Sequence, residues 1–145
     1  MPSKVIASAS SCFEVPFHDA DAMQVVWHGH YVKYLEIARC ALLDTFNYNY
    51  LQMQASGYFW PIVDMRIKYV GSAKFFRDIE VVAELIEVEN RMKIDYRIYD
   101  KQTGDLLTKA YTVQVAVGIE SGEMQFESPP VLAQKLAEAN LEQLT

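Results

Sequence analysis

Tyr31-Val32-Lys33-Tyr34-Leu35-Glu36-Ile37-Ala38-Arg39-Cys40-Ala41-Leu42-Leu43-Asp44-Thr45-Phe46 decides the fold of this 145-residue chain. At helical spacing Tyr31, Tyr34, Leu35, Ala38, Leu42 and Phe46 share one face, with Lys33, Glu36, Cys40 and Asp44 roughly opposite. Val32, Ile37, Ala41 and Leu43 widen the apolar surface. A helix apolar over so much of its circumference is expected to be covered on more than one side. The pattern weakens over residues 47–50 and closes at Gly57.

On either side of this helix the period is two. Residues 12–17 form a short β-like run before it. After Pro61, Val63, Met65, Ile67 and Tyr69 alternate with Asp64, Arg66 and Lys68. Residues 79–88 are β-branched and alternate imperfectly with glutamates, which predicts a bulge near Glu87. Met92, Ile94, Tyr96 and Ile98 alternate with Lys93, Asp95 and Arg97. A turn over residues 100–105 leads to the longest predicted strand, with Tyr111, Val113, Val115, Val117 and Ile119 on one face. Ser128-Pro129-Pro130 opens a last helix, with Ser128 as the predicted N-cap and Leu132 and Leu136 as anchors. The order β-α-β-β-β-β-α, without a dividing linker or repeat, predicts one α+β domain over residues 1–145. Its sheet is expected to be largely antiparallel, crossed by the early helix.

Composition narrows the function. Half the residues are hydrophobic (51%) and 22% are charged, as in a globular domain with a real core. A net charge of −6 without a basic stripe argues against a general nucleic-acid binder. Cys12 and Cys40 make neither a metal-type spacing nor a disulfide framework, which favours a reducing compartment. Residues 1–11 hold no apolar run long enough for a secretion signal, and no segment approaches the roughly 20 apolar residues of a spanning helix. The expectation is a cytoplasmic protein without membrane insertion.

All three histidines, with two aspartates, fall within thirteen residues: His18, Asp19, Asp21, His28 and His30. These side chains move protons, attack carbonyls or bind metals near neutral pH, so the segment is the expected functional centre. It places an acidic loop at the mouth of the helix, where unpaired N–H groups favour negative charge.

Asp19-Ala20-Asp21-Ala22-Met23-Gln24-Val25-Val26-Trp27-His28 resembles the signature of the 4-hydroxybenzoyl-CoA thioesterase-like proteins, a group that includes the Tol-Pal-associated thioesterase. That pattern runs Asp-x-Asp-x-x-Gly-Val-Val-Tyr/Trp-His before a tyrosine and a helix. Lys68-Tyr69-Val70-Gly71-Ser72-Ala73-Lys74 is similar to the family's Tyr-x-x-Pro-Ala strand end. Two positions depart: Gln24 stands for the glycine, and Gly71-Ser72 for the proline. The resemblance implies a hotdog fold, a curled antiparallel sheet wrapped around a central helix. It also implies hydrolysis of an acyl thioester carried by coenzyme A or an acyl carrier protein, with no cofactor or metal. On it Asp21 is the catalytic carboxylate, as nucleophile or general base, and His28 assists. The N–H groups of residues 25–29 are the expected oxyanion donors. Val26, Trp27 and Tyr31 are expected at the acyl group. Arg66 and Lys68, with Asp64 beside them, are expected at the substrate's carrier, their charges suited to its phosphates.

Three other readings compete. Zinc or iron binding has the right ligand types, but His28-x-His30 at a helix start would aim its rings apart, at about 100° per residue. A hotdog hydroxyacyl dehydratase expects a His-x-x-Gly loop, whereas Gly29 directly follows His28. A non-catalytic acyl-CoA or acyl-carrier binding module draws support from Gln24. The resemblance also implies a homodimer or homotetramer in which Asp21 of one subunit meets residues of the Asp64-to-Lys68 strand of another. In that arrangement the long strand ending at Ile119 would otherwise be a bare edge.

Overall fold

A computed structural model describes residues 5–15, 28–71 and 77–144. The elements are β1 (Ala7–Glu14), α1 (His28–Asp44), α2 (Tyr50–Ala55), β2 (Tyr58–Phe59), β3 (Ile62–Tyr69), β4 (Asp78–Glu87), β5 (Met92–Asp100), β6 (Leu106–Gln114), β7 (Val117–Gly118) and α3 (Pro130–Leu144). Five strands form one sheet in the order β1-β4-β5-β6-β3, and β2 pairs with β7 in a second. Every pairing is antiparallel.

Helix α1 packs on β1 and β4 and carries the centre of the core. All six residues of its predicted apolar face are buried, and so is Leu43. Cover on a second side is incomplete within one chain, since Ile37 is 42% exposed. The helix stops because Asn47 adopts a left-handed φ of 55°, a conformation asparagine tolerates better than most residues. Asn49 then starts α2 with a reciprocal capping box: its side chain accepts the Gln52 N–H at 3.1 Å, and Gln52 Oε1 accepts the Asn49 N–H at 2.8 Å. Residues 47–57 therefore hold a second short helix instead of a fading end.

The sheet agrees with the predicted alternation along β4 and β5. Ile79, Val81, Ala83 and Leu85 face α1 beside Met92, Ile94, Tyr96 and Ile98, all buried. The register shifts between Leu85 and Glu87, where a bulge is expected. β1 runs from Ala7, five residues earlier than expected. In β3 the register shifts between Ile62 and Asp64, so Val63 leaves the shared face of Met65 and Ile67 and is 57% exposed.

β6 corrects the sequence reading most. Its inward residues are Thr108, Ala110, Thr112 and Gln114, opposite Ile98, Tyr96, Ile94 and Met92. Tyr111 and Val113 face outward, and the strand ends at Gln114, with Val117 in the smaller sheet. The inward polar groups are tolerated because several are bonded. Tyr96 Oη lies 2.8 Å from Thr112 Oγ1, and Gln114 Nε2 donates to the Trp60 carbonyl at 2.7 Å. Nor is β6 an edge, since β5 and β3 flank it; the sheet's edges are β1 and β3. Ser128 is no side-chain cap either: its Oγ is buried without a partner among the described residues.

The Thr108 hydroxyl is likewise buried and unpartnered among the described residues, whereas Thr112 serves Tyr96. Thr108→Val is therefore expected to leave stability unchanged or raise it by up to about 1 kcal/mol, while Thr112→Val costs about 1–2 kcal/mol by stranding the Tyr96 hydroxyl. Urea unfolding of both variants checks this; equal losses would show that the two hydroxyls are equivalent.

Candidate active site

The start of α1 organises the candidate site. The helix begins at His28, so the N–H groups of its first turn lack intrahelical acceptors and give that end a partial positive charge. Asp21, Val26 and Trp27 lie outside the described residues, as do His18 and Asp19, and His28 is described in its backbone alone. His30 is half-buried in the first turn. Among the described residues no group of three histidine, cysteine or acidic side chains is placed to hold a metal ion.

Tyr31 is buried one residue further and belongs to a run of rings that crosses this end of the molecule. Phe13 of β1 meets Tyr34 with ring centroids 5.2 Å apart, Tyr34 meets Tyr31 at 6.1 Å, and Tyr31 meets Tyr69 at 5.1 Å and 77°. The two edge-to-face pairs, Tyr31 with Tyr34 and Tyr31 with Tyr69, add about 0.5–1.5 kcal/mol each beyond area burial. The run ties the helix start to the end of β3, and Tyr69 is 41% exposed. Two residues on, Gly71 lies so close to β6 that an added Cβ would sit 3.2 Å from Leu107 Cδ2. The Val70 and Gly71 N–H groups both donate to the Leu107 carbonyl at 2.9 Å. A residue without a side chain lets the chain leave the sheet closely there.

Asp64, Arg66 and Lys68 alternate with the inward residues of β3 and lie on the opposite face of the sheet from α1, paired with Val113, Tyr111 and Lys109. Asp64 Oδ2 accepts the Tyr111 hydroxyl at 3.2 Å. Within one chain the structure thus brings Tyr31 to the end of β3 but not to these three side chains.

Behind the site lies a buried cation that composition did not flag. Arg39 is 2% exposed; its Nε and Nη2 donate to the Tyr50 hydroxyl at 3.2 and 2.8 Å. Its carboxylate neighbour, Glu36, is 3.5 Å away and 58% exposed. Burial pulls the guanidinium's pKa down, but Tyr96 and Tyr50 more than offset this and leave it raised. Burial pushes the Tyr96 phenol up. Helical phase is the signal that finds Arg39, since it lies one turn after Leu35 and one turn before Leu42 and Leu43.

A profile described as Thioesterase-like superfamily matches residues 15–136. The chain belongs to that superfamily. Its relatives include "Putative acyl-CoA thioesterase YneP" of Bacillus subtilis (strain 168), 32% identical over 110 residues that cover 74% of this chain and 78% of YneP. The crystal structure of the hypothetical protein TT1821 from Thermus thermophilus superposes with a TM-score of 0.78 at 26% identity, covering 90% of this chain and 98% of that one. Slr0204 from Synechocystis, a 1,4-dihydroxy-2-naphthoyl-CoA thioesterase, superposes with a TM-score of 0.79 at 17% identity, covering 90% and 96%. At that identity the likeness shows the fold alone. The curled antiparallel sheet around α1 is the hotdog fold of this thioesterase-like superfamily.

Proposed function

We propose that this thioesterase-like protein, one hotdog domain, hydrolyses an acyl thioester of coenzyme A or of an acyl carrier protein to the free acid and thiol. The observation that carries the proposal is the superfamily match over residues 15–136, which contains the Asp19-to-His28 motif directly before α1. The relative named as an acyl-CoA thioesterase supports coenzyme A as the carrier. Asp21 supplies the carboxylate, either attacking the carbonyl or taking a proton from the attacking water. In the general-base form, water adds to the carbonyl carbon and the oxyanion rests on N–H groups of residues 25–29. Collapse then breaks the C–S bond, and the departing thiolate takes the proton held by Asp21. His28 orients the water or hydrogen-bonds the thioester, while Val26, Trp27 and Tyr31 contact the acyl group. Both thiols are free among the described residues, in keeping with a cytoplasmic setting.

The proposal includes at least a dimer, joined through the open edge of β3, with Arg66 and Lys68 of the partner subunit receiving the carrier's phosphates. The strand is self-complementary: antiparallel pairing about a two-fold axis at Arg66 sets Asp64 against Lys68 of the partner subunit and Met65 against Ile67 of the partner subunit. Val63 and Tyr69, at the two ends of this edge strand, are both exposed in one chain. Asp64→Lys is expected to weaken association about tenfold or more, and Asp64→Lys with Lys68→Asp to restore it. Light scattering across a dilution series reads both. A wild type that stays monomeric at micromolar concentration would overturn the assembly.

The reaction itself is tested by thiol release from short-chain, long-chain and aryl acyl-CoAs. Turnover of any of them is the expected result. No turnover of these or of an acyl carrier protein thioester would reject hydrolysis and leave the binding-module reading.

A further inference from the structure

The outer face of the sheet, away from α1, holds a concentration of positive charge unusual in an acidic chain. Lys68 of β3 lies directly opposite Lys109 of β6, and Lys109 directly opposite Arg97 of β5. On neighbouring antiparallel strands such partners have Cβ atoms roughly 4.5–5.5 Å apart, a spacing at which like charges repel. Arg97 is matched by its contact with Glu84. Arg66, Lys68 and Lys109 form no ion pair with a carboxylate among the described residues. These four cations line one cleft of about 630 Å³, floored in part by Tyr111, a volume within the roughly 300–1,000 Å³ typical of small-ligand sites. Glu84 and Asp95 occupy its other side, which confines an anion to the half formed by β3 and β6.

We infer that this cleft binds a phosphorylated ligand, with its phosphate between Lys68, Lys109 and Arg66. A polyanion removes the repulsion that the strand register builds in, and guanidinium and ammonium donors on a rigid sheet satisfy several phosphate oxygens at once. Pairing of Lys68 with Asp64 of the partner subunit leaves Arg66 and Lys109 uncompensated, so the site persists in the dimer. The inference extends the carrier role proposed for Arg66 and Lys68 to the neighbouring strand. It holds for two sources of phosphate, the substrate's own carrier or a free polyphosphate.

Titration calorimetry with inorganic pyrophosphate on the intact protein tests it without recourse to hydrolysis. Saturable binding at about 0.15 M salt, weakened about fivefold or more by Lys109→Gln, is the expected result. Competition by free coenzyme A would assign the cleft to the carrier, and a raised KM for acyl-CoA with unchanged kcat in Lys109→Gln would agree. Pyrophosphate bound without competition by coenzyme A would assign it to a free polyphosphate. Absent binding, or binding indifferent to Lys109→Gln, overturns the inference. Lysine-dependent binding in a protein that hydrolyses no thioester would sustain it while the proposed reaction fell.

Discussion

Asp21→Asn is expected to lower thiol release from the preferred acyl-CoA by about a thousandfold, with little change in KM. Asparagine keeps the size and hydrogen-bonding shape of the side chain but neither attacks a carbonyl nor accepts a proton from water. General-base catalysis contributes roughly 10²–10⁴-fold, and loss of a nucleophile costs at least as much. His28→Ala should cost less, about tenfold to a hundredfold, because orientation of a water is replaceable by the remaining site. Single-turnover kinetics separates the two forms of the mechanism: a covalent acyl intermediate trapped on the wild type identifies Asp21 as nucleophile. Full activity in Asp21→Asn would move the chemistry to another group, with His28 next in line.

The largest loss of stability is expected from Arg39→Ala. Truncation empties a buried volume and withdraws the donors that the Tyr50 hydroxyl accepts. Together these effects cost about 3–5 kcal/mol and lower Tm by roughly 10 °C or more. The exposed partner decides which interaction matters. Glu36 is solvated and 3.5 Å away, so Glu36→Gln should cost less than about 1 kcal/mol. Arg39→Lys should fall between, since one ammonium lacks the planar fork that reaches Tyr50 twice. Denaturant unfolding of the three variants settles the ranking, and equal losses in Glu36→Gln and Arg39→Ala would make the ion pair, not the hydrogen bonds to Tyr50, the source of the stability.

Much of the fold was legible because its strongest periodic segments are also its most buried. The inward faces of α1, β4 and β5 follow from hydrophobic spacing, as does the irregularity near Glu87. β6 was misread for a physical reason. Its interior needs hydrogen-bonding groups near Tyr96 and the Trp60 carbonyl, so threonine and glutamine turn inward and a hydrophobicity pattern selects the wrong face. β2 and β7, two residues each, are too short for any period to register. α2 does leave a sign, the Asn49-to-Gln52 spacing of a capping box, which hydrophobic periodicity does not register. At the site, Tyr31 was legible from helical phase and its tie to Tyr69 was not, because a contact between a helix start and a strand end has no local spacing. Asp21, Val26 and Trp27 rest on the motif, outside the described residues.

The order of strands in the sheet also sets a schedule. Of the strands in this sheet β1 is synthesised before the others, and among the described residues its partner is β4, which begins at Asp78. Until then this strand must wait unpaired while α1 and β3 emerge behind it. β4 and β5, by contrast, each find a partner in the next strand made, and such short-range closure is the cheaper step. The first strand is built for the delay. Ala7-Ser8-Ala9-Ser10-Ser11-Cys12-Phe13-Glu14 contains one large apolar side chain, so it offers a nascent neighbour little to adhere to before its place in the sheet exists.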